Sequence, residues 1–417
     1  MSKHVLIVGA GIVGLSVAYY CARSGHRVSL IERDPPERDG CSFANAGMIV
    51  PSHFIPLASP GMVRLGLRSL WNAENPVYVK PRWSADLVDW SWKFSRAATR
   101  AHADASAPRL RDLHLASRDC YQQWAALWGE DFGLAERGLL VLCNTELGLE
   151  EEAEIAEQAR ALDMPARMLT AAATSALEPN VRMTIAGSVY YPLDCHLIPD
   201  RLMAALSRQA EHAGVRAHYR TNITGWQLHD NRVTAVQTSN GTFTADEFVL
   251  CAGIWSSDVA RDLGLRLPMQ AGKGYSLTVE TAAPFPGACA ILSEARVAMT
   301  PMGNAVRFGG TMELAGLDEG LNPARVRGIV KSVARYYPDF TSTRFAGARV
   351  RSGLRPCAPD GMPYVGRFAR FANLSAATGH AMMGVSLGPI TGKLIAELVS
   401  GQRPSCSMDG LSPDRYA

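Results

Sequence analysis

Apolar residues recur along the chain in two rhythms, and the switches between them mark out its elements. Val5 to Val8 form a continuous apolar run, and residues 5 to 22 carry no charge over eighteen positions. That is the length at which a membrane span becomes a candidate. Glycines 9, 11 and 14 break the run at fixed spacing, so it reads instead as a buried strand, a glycine turn and a helix. A second apolar run, Val28 to Ile31, ends at Glu32. Helical periodicity covers 85–100, 109–128 and 148–162, the second with Leu113, Cys120, Trp124 and Leu127 on one face, while Gly138 to Cys143 reads as a strand. Pro199-Asp200 opens a helix to about Ala213, Val215 to Tyr219 is a strand, and 223–251 alternates as a meander ending in Phe248-Val249-Leu250. Further strands are predicted near 273–280, 296–301 and 305–311, a helix from Asn322-Pro323 to Tyr337, a strand at Leu374 to Ala377 and a helix around Val385 to Ser400.

Composition narrows the class. The 417 residues are 47% hydrophobic, enough for a large core, and at roughly 100 to 200 residues per domain they should form two domains. Disorder and fibre are excluded. Lys+Arg at 42 against Asp+Glu at 39 leaves +3 over the whole length, too weak a field to steer the chain onto nucleic acid. Nine cysteines without a CxxC pair or metal-ligand spacing read as reduced thiols in a cytoplasmic protein, with no metal expected. Met1 to His4 offer almost no charged leader, and no small-residue cleavage site ends the run that follows, which disfavours a signal peptide.

The glycine turn carries the first chemistry. Gly9 makes the tight strand-to-helix turn, Gly11 lets a pyrophosphate approach the helix N-terminus, and Gly14 with Ala18 lets the helix pack close to the sheet. Glu32 can accept hydrogen bonds from an adenosine ribose, with Arg33 beside it in the expected cofactor-binding set. These elements specify a dinucleotide fold and leave NAD and FAD open. The next segment tips the choice toward a flavin: Ser42, Asn45, Ala46, Gly47 and Met48, then Pro51-Ser52-His53, form a turn-rich stretch of small and polar residues suited to lying along a flat ring. Farther on, the apolar strand ending at Leu250 runs into Ala252, Gly253 and Trp255, a second pass beneath the dinucleotide.

Taken in order, GAGIVG with Glu32, SFANAG, LCAGIWS, GKGYSLTV, RFGGTMEL, GLRP with APDGMPYVG, and TGHAMMGVSLGPITGKLIAEL resemble the D-amino-acid oxidase superfamily of FAD enzymes, and within it the bacterial D-amino-acid dehydrogenases. The resemblance runs from residue 3 to about 403. It implies an α/β fold: a discontinuous Rossmann-like FAD-binding domain (1–84, 196–266 and 346–417) interleaved with an α+β substrate domain on a mostly antiparallel sheet (85–195 and 267–345). It implies FAD held noncovalently, although Cys357 lies where some sarcosine oxidases attach theirs. It adds Gly353, Gly379, His380 and Gly384 to the cofactor-binding set, the last three at a helix start that can stabilise negative charge on the reduced ring. NAGMIVPSHFIPLASPGMV looks more like the branch that oxidises D-hydroxyproline and D-proline.

Hydride transfer from Cα of an amino acid to flavin N5 needs orientation above all, chiefly an anchor for the carboxylate. Arg355, in the GxRP context of the family's carboxylate-binding arginine, can present a planar fork to both oxygens. Tyr275 is a candidate to close the substrate pocket with its hydroxyl, and His53 falls where related sarcosine oxidases carry a basic substrate-binding residue. Glu313 is expected to pair with a basic residue. The implied reaction is oxidation of a D-amino or D-imino acid (cis-4-hydroxy-D-proline, D-proline or D-alanine type), with electrons passed to a quinone or other respiratory acceptor. Two alternatives stand beside it: an oxygen-using oxidase of glycine, sarcosine or D-amino acids, and a flavin-binding assembly protein without turnover. Arg82-Trp83, Trp90, Trp92-Lys93-Phe94, Arg96 and Arg100 suggest peripheral contact with the inner face of the cell membrane, though Leu87, Trp90, Phe94 and Ala97 also fit core spacing.

Overall fold

The computed structural model describes residues 1–68, 74–280 and 285–417. The uncharged N-terminal run is a strand, β1 (His4–Val8), and a helix, α1 (Ile12–Arg23), both buried inside the protein. β1 lies at the centre of a six-stranded sheet. Its parallel members are β2 (Arg27–Ile31), β9 (Arg216–His218), β13 (Glu247–Leu250) and β20 (Leu374–Thr378), closed by an antiparallel edge, β19 (Tyr364–Arg367), in the order β19-β20-β13-β1-β2-β9. Strands covered on both faces read as continuous apolar runs, which is why β1 and β13 were legible.

The larger sheet is mixed and mostly antiparallel. It runs β18 (Arg349–Cys357), β14 (Gln270–Glu280), β17 (Ala305–Leu314), β16 (Val297–Pro301), β15 (Cys289–Leu292), β5 (Leu139–Cys143), β7 (Gly187–Tyr191) and β6 (Arg167–Thr170), with β4 (Val77–Val79) beside β17. β4 and β18 thus pair into this sheet although they come from 1–84 and 346–417, segments expected to lie in the cofactor domain. Pairing between distant segments leaves no trace in local periodicity. A three-stranded meander, β10 (Ile223–His229), β11 (Arg232–Thr238) and β12 (Gly241–Thr244), stands apart, and β3 (Met48–Ile49) pairs with β8 (Cys195–His196).

The remaining helices are α2 (Met62–Arg68), α3 (Ala85–Ala97), α4 (Arg100–Trp128), α5 (Glu146–Ala161), α6 (Ala171–Leu177), α7 (Pro199–His212), α8 (Ser256–Arg261), α9 (Pro323–Tyr336) and α10 (Gly384–Val399). α4 begins at Arg100, nine residues before the predicted start, with the Thr99 hydroxyl accepting from His102 N as its cap, and carries Pro108 inside it. The proline removes one helical hydrogen bond, and the rest of the helix is held by packing. Leu113, Cys120 and Trp124 are buried as predicted, but Leu127 is 70% exposed and Trp128 takes its place, one full turn after Trp124.

α1, α4 and α10 share one core. Trp124 stacks on Trp128 with ring centroids 4.5 Å apart, and Trp128 Nε1 donates to the Tyr19 hydroxyl at 3.1 Å. A Cβ on Gly392 of α10 would lie 2.4 Å from the Ser16 backbone of α1, so this glycine sets the distance between the two helices. The segment Ala381–Val399 is long and apolar enough to cross a membrane, but 72% of its apolar window is buried in this core.

Candidate active site

Two N-terminal glycines are required by contact. Gly9 has φ +102°, and a Cβ there would lie 2.5 Å from the Cys251 carbonyl oxygen; a Cβ on Gly14 would lie 1.8 Å from the Gly9 oxygen. α1 starts at Gly11 without a side-chain cap and without an acid in its first turn, and Ile12 N donates to the Ser42 hydroxyl at 3.0 Å. A helix start that is free of acids, with a glycine at its cap position and a serine hydroxyl beside it, fits a pyrophosphate. The Glu32 carboxylate accepts from Ala10 N at 2.7 Å and Asp34 N at 3.0 Å, which fixes it at the end of β2. Arg33 lies 3.6 Å over the Trp255 ring, and the Gly253 carbonyl beside it accepts from the Thr378 hydroxyl at 2.9 Å. These residues fit the adenosine and pyrophosphate portions of FAD.

The segment 41–48 crosses from this cradle onto one face of the larger sheet. Gly47, at φ +75°, would place a Cβ 2.3 Å from the Leu197 oxygen, and Gly47 N donates to Asn45 Oδ1 at 2.7 Å, closing a tight turn. Ala46 packs on Gly309, whose Cβ would sit 3.3 Å from that of Ala46, and Cys41 packs on Gly353 at 2.9 Å. Met48 continues into β3. Two arginines of the same sheet face clamp the loop. Arg307 donates to the carbonyls of Phe43 (3.0 Å) and Asn45 (2.8 Å), Arg351 to that of Phe43 (3.2 Å), and both pair with Asp200 at the start of α7. Burial opposes ionisation of Asp200, but Arg351 and Arg307 outweigh it and hold the carboxyl below its ordinary range.

Arg355 is different. Its half-buried guanidinium lies flat over Gly274, where a Cβ would be 2.0 Å from Nη2, and Nη1 donates to the Thr311 carbonyl at 2.7 Å. Among the described residues it has no carboxylate partner, so part of the fork is uncommitted. On the same sheet face Met312 lies beside Gly272, the strand partner of Arg355, and packs in an apolar cluster with Leu57, Val79, Trp90, Phe94 and Ala381, with Trp90 Nε1 donating to the Cys357 carbonyl at 2.8 Å. Thr311 belongs to an irregularity in β17: Lys273 pairs with Glu313 and Tyr275 with Gly310, so Gly274 faces two residues, Thr311 and Met312. Thr311 has φ +63°, a left-handed conformation that costs a β-branched residue about 1–3 kcal/mol and is found where surrounding structure enforces it.

The other predicted residues divide. Tyr275 does not join Arg355. It lies on the opposite face of β14 with Leu277 and Val279, under α9, and its hydroxyl donates to Glu313 at 2.5 Å; Glu313 in turn lies 3.6 Å from the buried Lys273. His53 keeps partial access to solvent yet sits deep enough that desolvation pulls its imidazole down to about 4, so it is neutral, and its Nδ1 is 3.4 Å from the Ser52 hydroxyl. His380 is turned into α10, with Nε2 2.9 Å from the Thr391 hydroxyl, and burial pulls it down to about 3. Its backbone pairs with Cys357, which brings Gly379 (φ +78°) and the start of α10 at Gly384 beside Arg355's strand. Cys357 itself is fully buried and its thiol is pushed up to about 12 by that burial, a poor nucleophile for covalent attachment.

Sequence reasoning missed the Arg307–Asp200–Arg351 clamp and a buried polar cluster behind the loop. In the latter, Ser386 of α10 accepts from Val50 N at 3.0 Å and meets His114 Nδ1 at 2.8 Å, while Ser52 bonds to the buried Asp194 through N (3.0 Å) and Oγ (2.5 Å). Desolvation pushes the Asp194 carboxyl up to about 7. The available signal was polarity out of place: an arginine within the apolar strand around Val306 and Phe308, and a histidine on the buried face of α4.

A dinucleotide cradle leading to an arginine-rich sheet face with one uncommitted guanidinium fits an oxidoreductase with a dinucleotide cofactor. The chain belongs to the FAD dependent oxidoreductase family, whose model matches residues 4–398, and FAD is its cofactor. It is 35% identical over 424 residues to a D-amino acid dehydrogenase of Methylobacterium radiotolerans, covering 99% of this chain and 100% of that protein. It is 32% identical to one of Bradyrhizobium diazoefficiens, covering 99% of each. Among solved structures, glycine oxidase from Geobacillus kaustophilus superposes with a TM-score of 0.80 at 24% identity, covering 100% of this chain and 99% of that one, a likeness of fold.

Proposed function

We propose that the chain is an FAD-dependent dehydrogenase of D-amino or D-imino acids with small apolar side chains, D-proline, cis-4-hydroxy-D-proline and D-alanine being the leading candidates. The observation that carries this reading is the uncommitted fork of Arg355, held at one nitrogen by Thr311 and lying on the sheet face that Met312 shares with an apolar cluster. A guanidinium so placed binds a carboxylate through two parallel hydrogen bonds and orients Cα. FAD would supply the acceptor for the hydride that leaves Cα; the lone pair of the neutral amine forms the C=N bond of an iminium ion, and water adds to it, releasing the keto acid and ammonium or, from a cyclic amine, opening the ring to an amino keto acid. Arg355 holds the carboxylate throughout, and the apolar cluster that includes Met312 limits the access of water on that side. The full-length likeness to proteins named D-amino acid dehydrogenase supports the D-configuration.

Electrons then pass to a quinone or other respiratory acceptor, with the protein in the cytoplasm and in peripheral contact with the inner face of the membrane. The contact reading is favoured by α3, which buries Trp90 and turns Val88 and Trp92 outward, with Trp83 (102% exposed) just ahead of its cap and Arg96 4.9 Å over the Trp92 ring. Anaerobic flavin bleaching with D-proline, cis-4-hydroxy-D-proline, D-alanine, sarcosine and their L-forms, followed by air or a quinone, tests the whole reading. Bleaching by the D-forms and faster reoxidation by quinone are expected. Peroxide formed at the rate of quinone turnover would make the protein an oxidase, and no bleaching by any of them would reject catalysis on these substrates.

A further inference from the structure

We propose that Thr311 is a substrate-binding residue whose hydroxyl donates a hydrogen bond to the carboxylate held by Arg355. This rests on the reading of Arg355 as the carboxylate anchor, and three observations carry it. The first is register. Tyr275 and Lys273 share the face of β14 that packs under α9, and their partners on β17, Gly310 and Glu313, share it too. The two residues between, Thr311 and Met312, therefore project to the other face, where Arg355 lies, and Met312 is found there: a Cβ on Gly272, the partner of Arg355, would lie 3.4 Å from its side chain.

The second observation is conformation. The position demands φ +63°, which glycine meets without strain. A β-branched residue there is the expensive choice for the backbone, and the carbonyl that holds Arg355 Nη1 would be supplied equally by glycine. The side chain must account for the choice. The third observation is what that side chain offers: Thr311 is only 8% exposed, and among the described residues its hydroxyl has no hydrogen-bond partner. A buried hydroxyl without a partner is costly, and one on the same residue as the carbonyl that tethers the anchoring guanidinium stands within reach of whatever the fork binds. With Nη1 tied to the Thr311 carbonyl, the carboxylate takes the remaining guanidinium hydrogens and the Thr311 hydroxyl donates to one of its oxygens.

The test uses the FAD-loaded enzyme and pyrrole-2-carboxylate, a planar carboxylate that cannot be oxidised at its α-carbon, with its uncharged carboxamide as control; binding is read from the flavin absorbance. Thr311→Val removes the hydroxyl and keeps the branch, Thr311→Ser keeps the hydroxyl, and Thr311→Gly removes the strain and the hydroxyl together. Expected are about tenfold weaker carboxylate binding for Thr311→Val and Thr311→Gly and about twofold or less for Thr311→Ser, with carboxamide binding and FAD content unchanged. Thr311→Gly should melt higher than the wild type while binding more weakly. A higher melting temperature with undiminished affinity would overturn the proposal, leaving Thr311 a backbone residue, as would loss of FAD in Thr311→Val. Arg355→Lys is run in parallel. If it weakens carboxylate binding and Thr311→Val does not, only this inference fails; if Arg355→Lys has no effect, or the wild type does not bind the probe, the anchor reading fails and this inference with it.

Discussion

Gly274→Ala separates the substrate anchor from the fold more cleanly than any change to the arginine itself. The added Cβ would stand 2.0 Å from Arg355 Nη2, 2.1 Å from Cζ and 2.5 Å from Nη1, and ordinary contact begins near 3.4 Å, so the guanidinium must retreat by about 1.4 Å. The obstacle is the far end of a flexible side chain, not backbone, and Gly274 lies in a strand at negative φ where alanine is accepted. Folding should therefore change by less than about 1 kcal/mol, in either direction. Binding should suffer. The retreat breaks the Nη1 bond to the Thr311 carbonyl and moves the fork off the carboxylate position; a charge-assisted hydrogen bond is worth about 1.5–3 kcal/mol, or about ten- to a hundredfold in kcat/KM. A displacement of this size also misplaces Cα relative to its hydride acceptor, so the limiting rate of flavin reduction should fall along with affinity. The assay is anaerobic stopped-flow reduction over a range of D-proline or D-alanine concentrations, with FAD content and melting temperature measured on the same preparation. Unchanged reduction kinetics in a folded, FAD-loaded variant would refute the reasoning, since the carboxylate would then be held elsewhere. Arg355→Lys, which keeps charge and loses the fork, should land in the same range without the steric cause.

Arg307→Met should lower FAD occupancy, because it leaves the Asn45 carbonyl without a donor, at about 1–3 kcal/mol, and the Phe43 carbonyl with Arg351 alone, while Arg349→Met, on the exposed end of β18, should leave it unchanged; absorbance ratios of the purified variants decide. Acid or heat should release all the FAD from the wild type, and Cys357→Ser should retain the same yield of yellow protein; colour remaining on the precipitate would place a covalent bond there. Acid stability should report on His380. Burial pulls its folded value to about 3 from the ordinary 6.5, so the folded state stays neutral while the unfolded chain takes a proton. The stability that neutrality contributes is present above pH 6.5 and is lost as pH falls toward 3, by about 1.4 kcal/mol per pH unit. His380→Gln lacks this loss, so between pH 7 and pH 4 the difference in stability measured by denaturant melts should shift in the variant's favour; parallel curves would mean that His380 is charged in the fold.

The cofactor end of the molecule was legible because each of its signals answers a local demand. Gly9 and Gly14 sit where a side chain would strike backbone, Glu32 ends a buried strand, and Arg355 stands in a short motif with its proline. The clamp of Arg307, Arg351 and Asp200 was not legible, since nothing in the spacing of three separate segments says that they meet. α4 was cut short because Pro108 reads as a stop, whereas the packing of Leu110, Leu113 and Tyr121 against α10 carries the helix through it. Tyr275 is the more instructive case. A strand has two faces, and which faces the site cannot be settled from one aromatic residue. Yet the alternation was there: Tyr275, Leu277 and Val279 are large and apolar, whereas Gly272, Gly274 and Ser276 between them are small. The large set packs under α9, and the small set lies where something must come close. The same holds for neighbouring strands, with Gly309 against Ala46, Gly353 against Cys41 and Gly274 beneath Arg355. The run of small residues on β14, with single glycines beside the arginines of β17 and β18, marks the face that receives the loop and the anchor, because a loop backbone or a guanidinium can lie close on a sheet only over positions without side chains. The tyrosine was assigned to the site for its chemistry; the glycines flanking Lys273 already placed it on the other side.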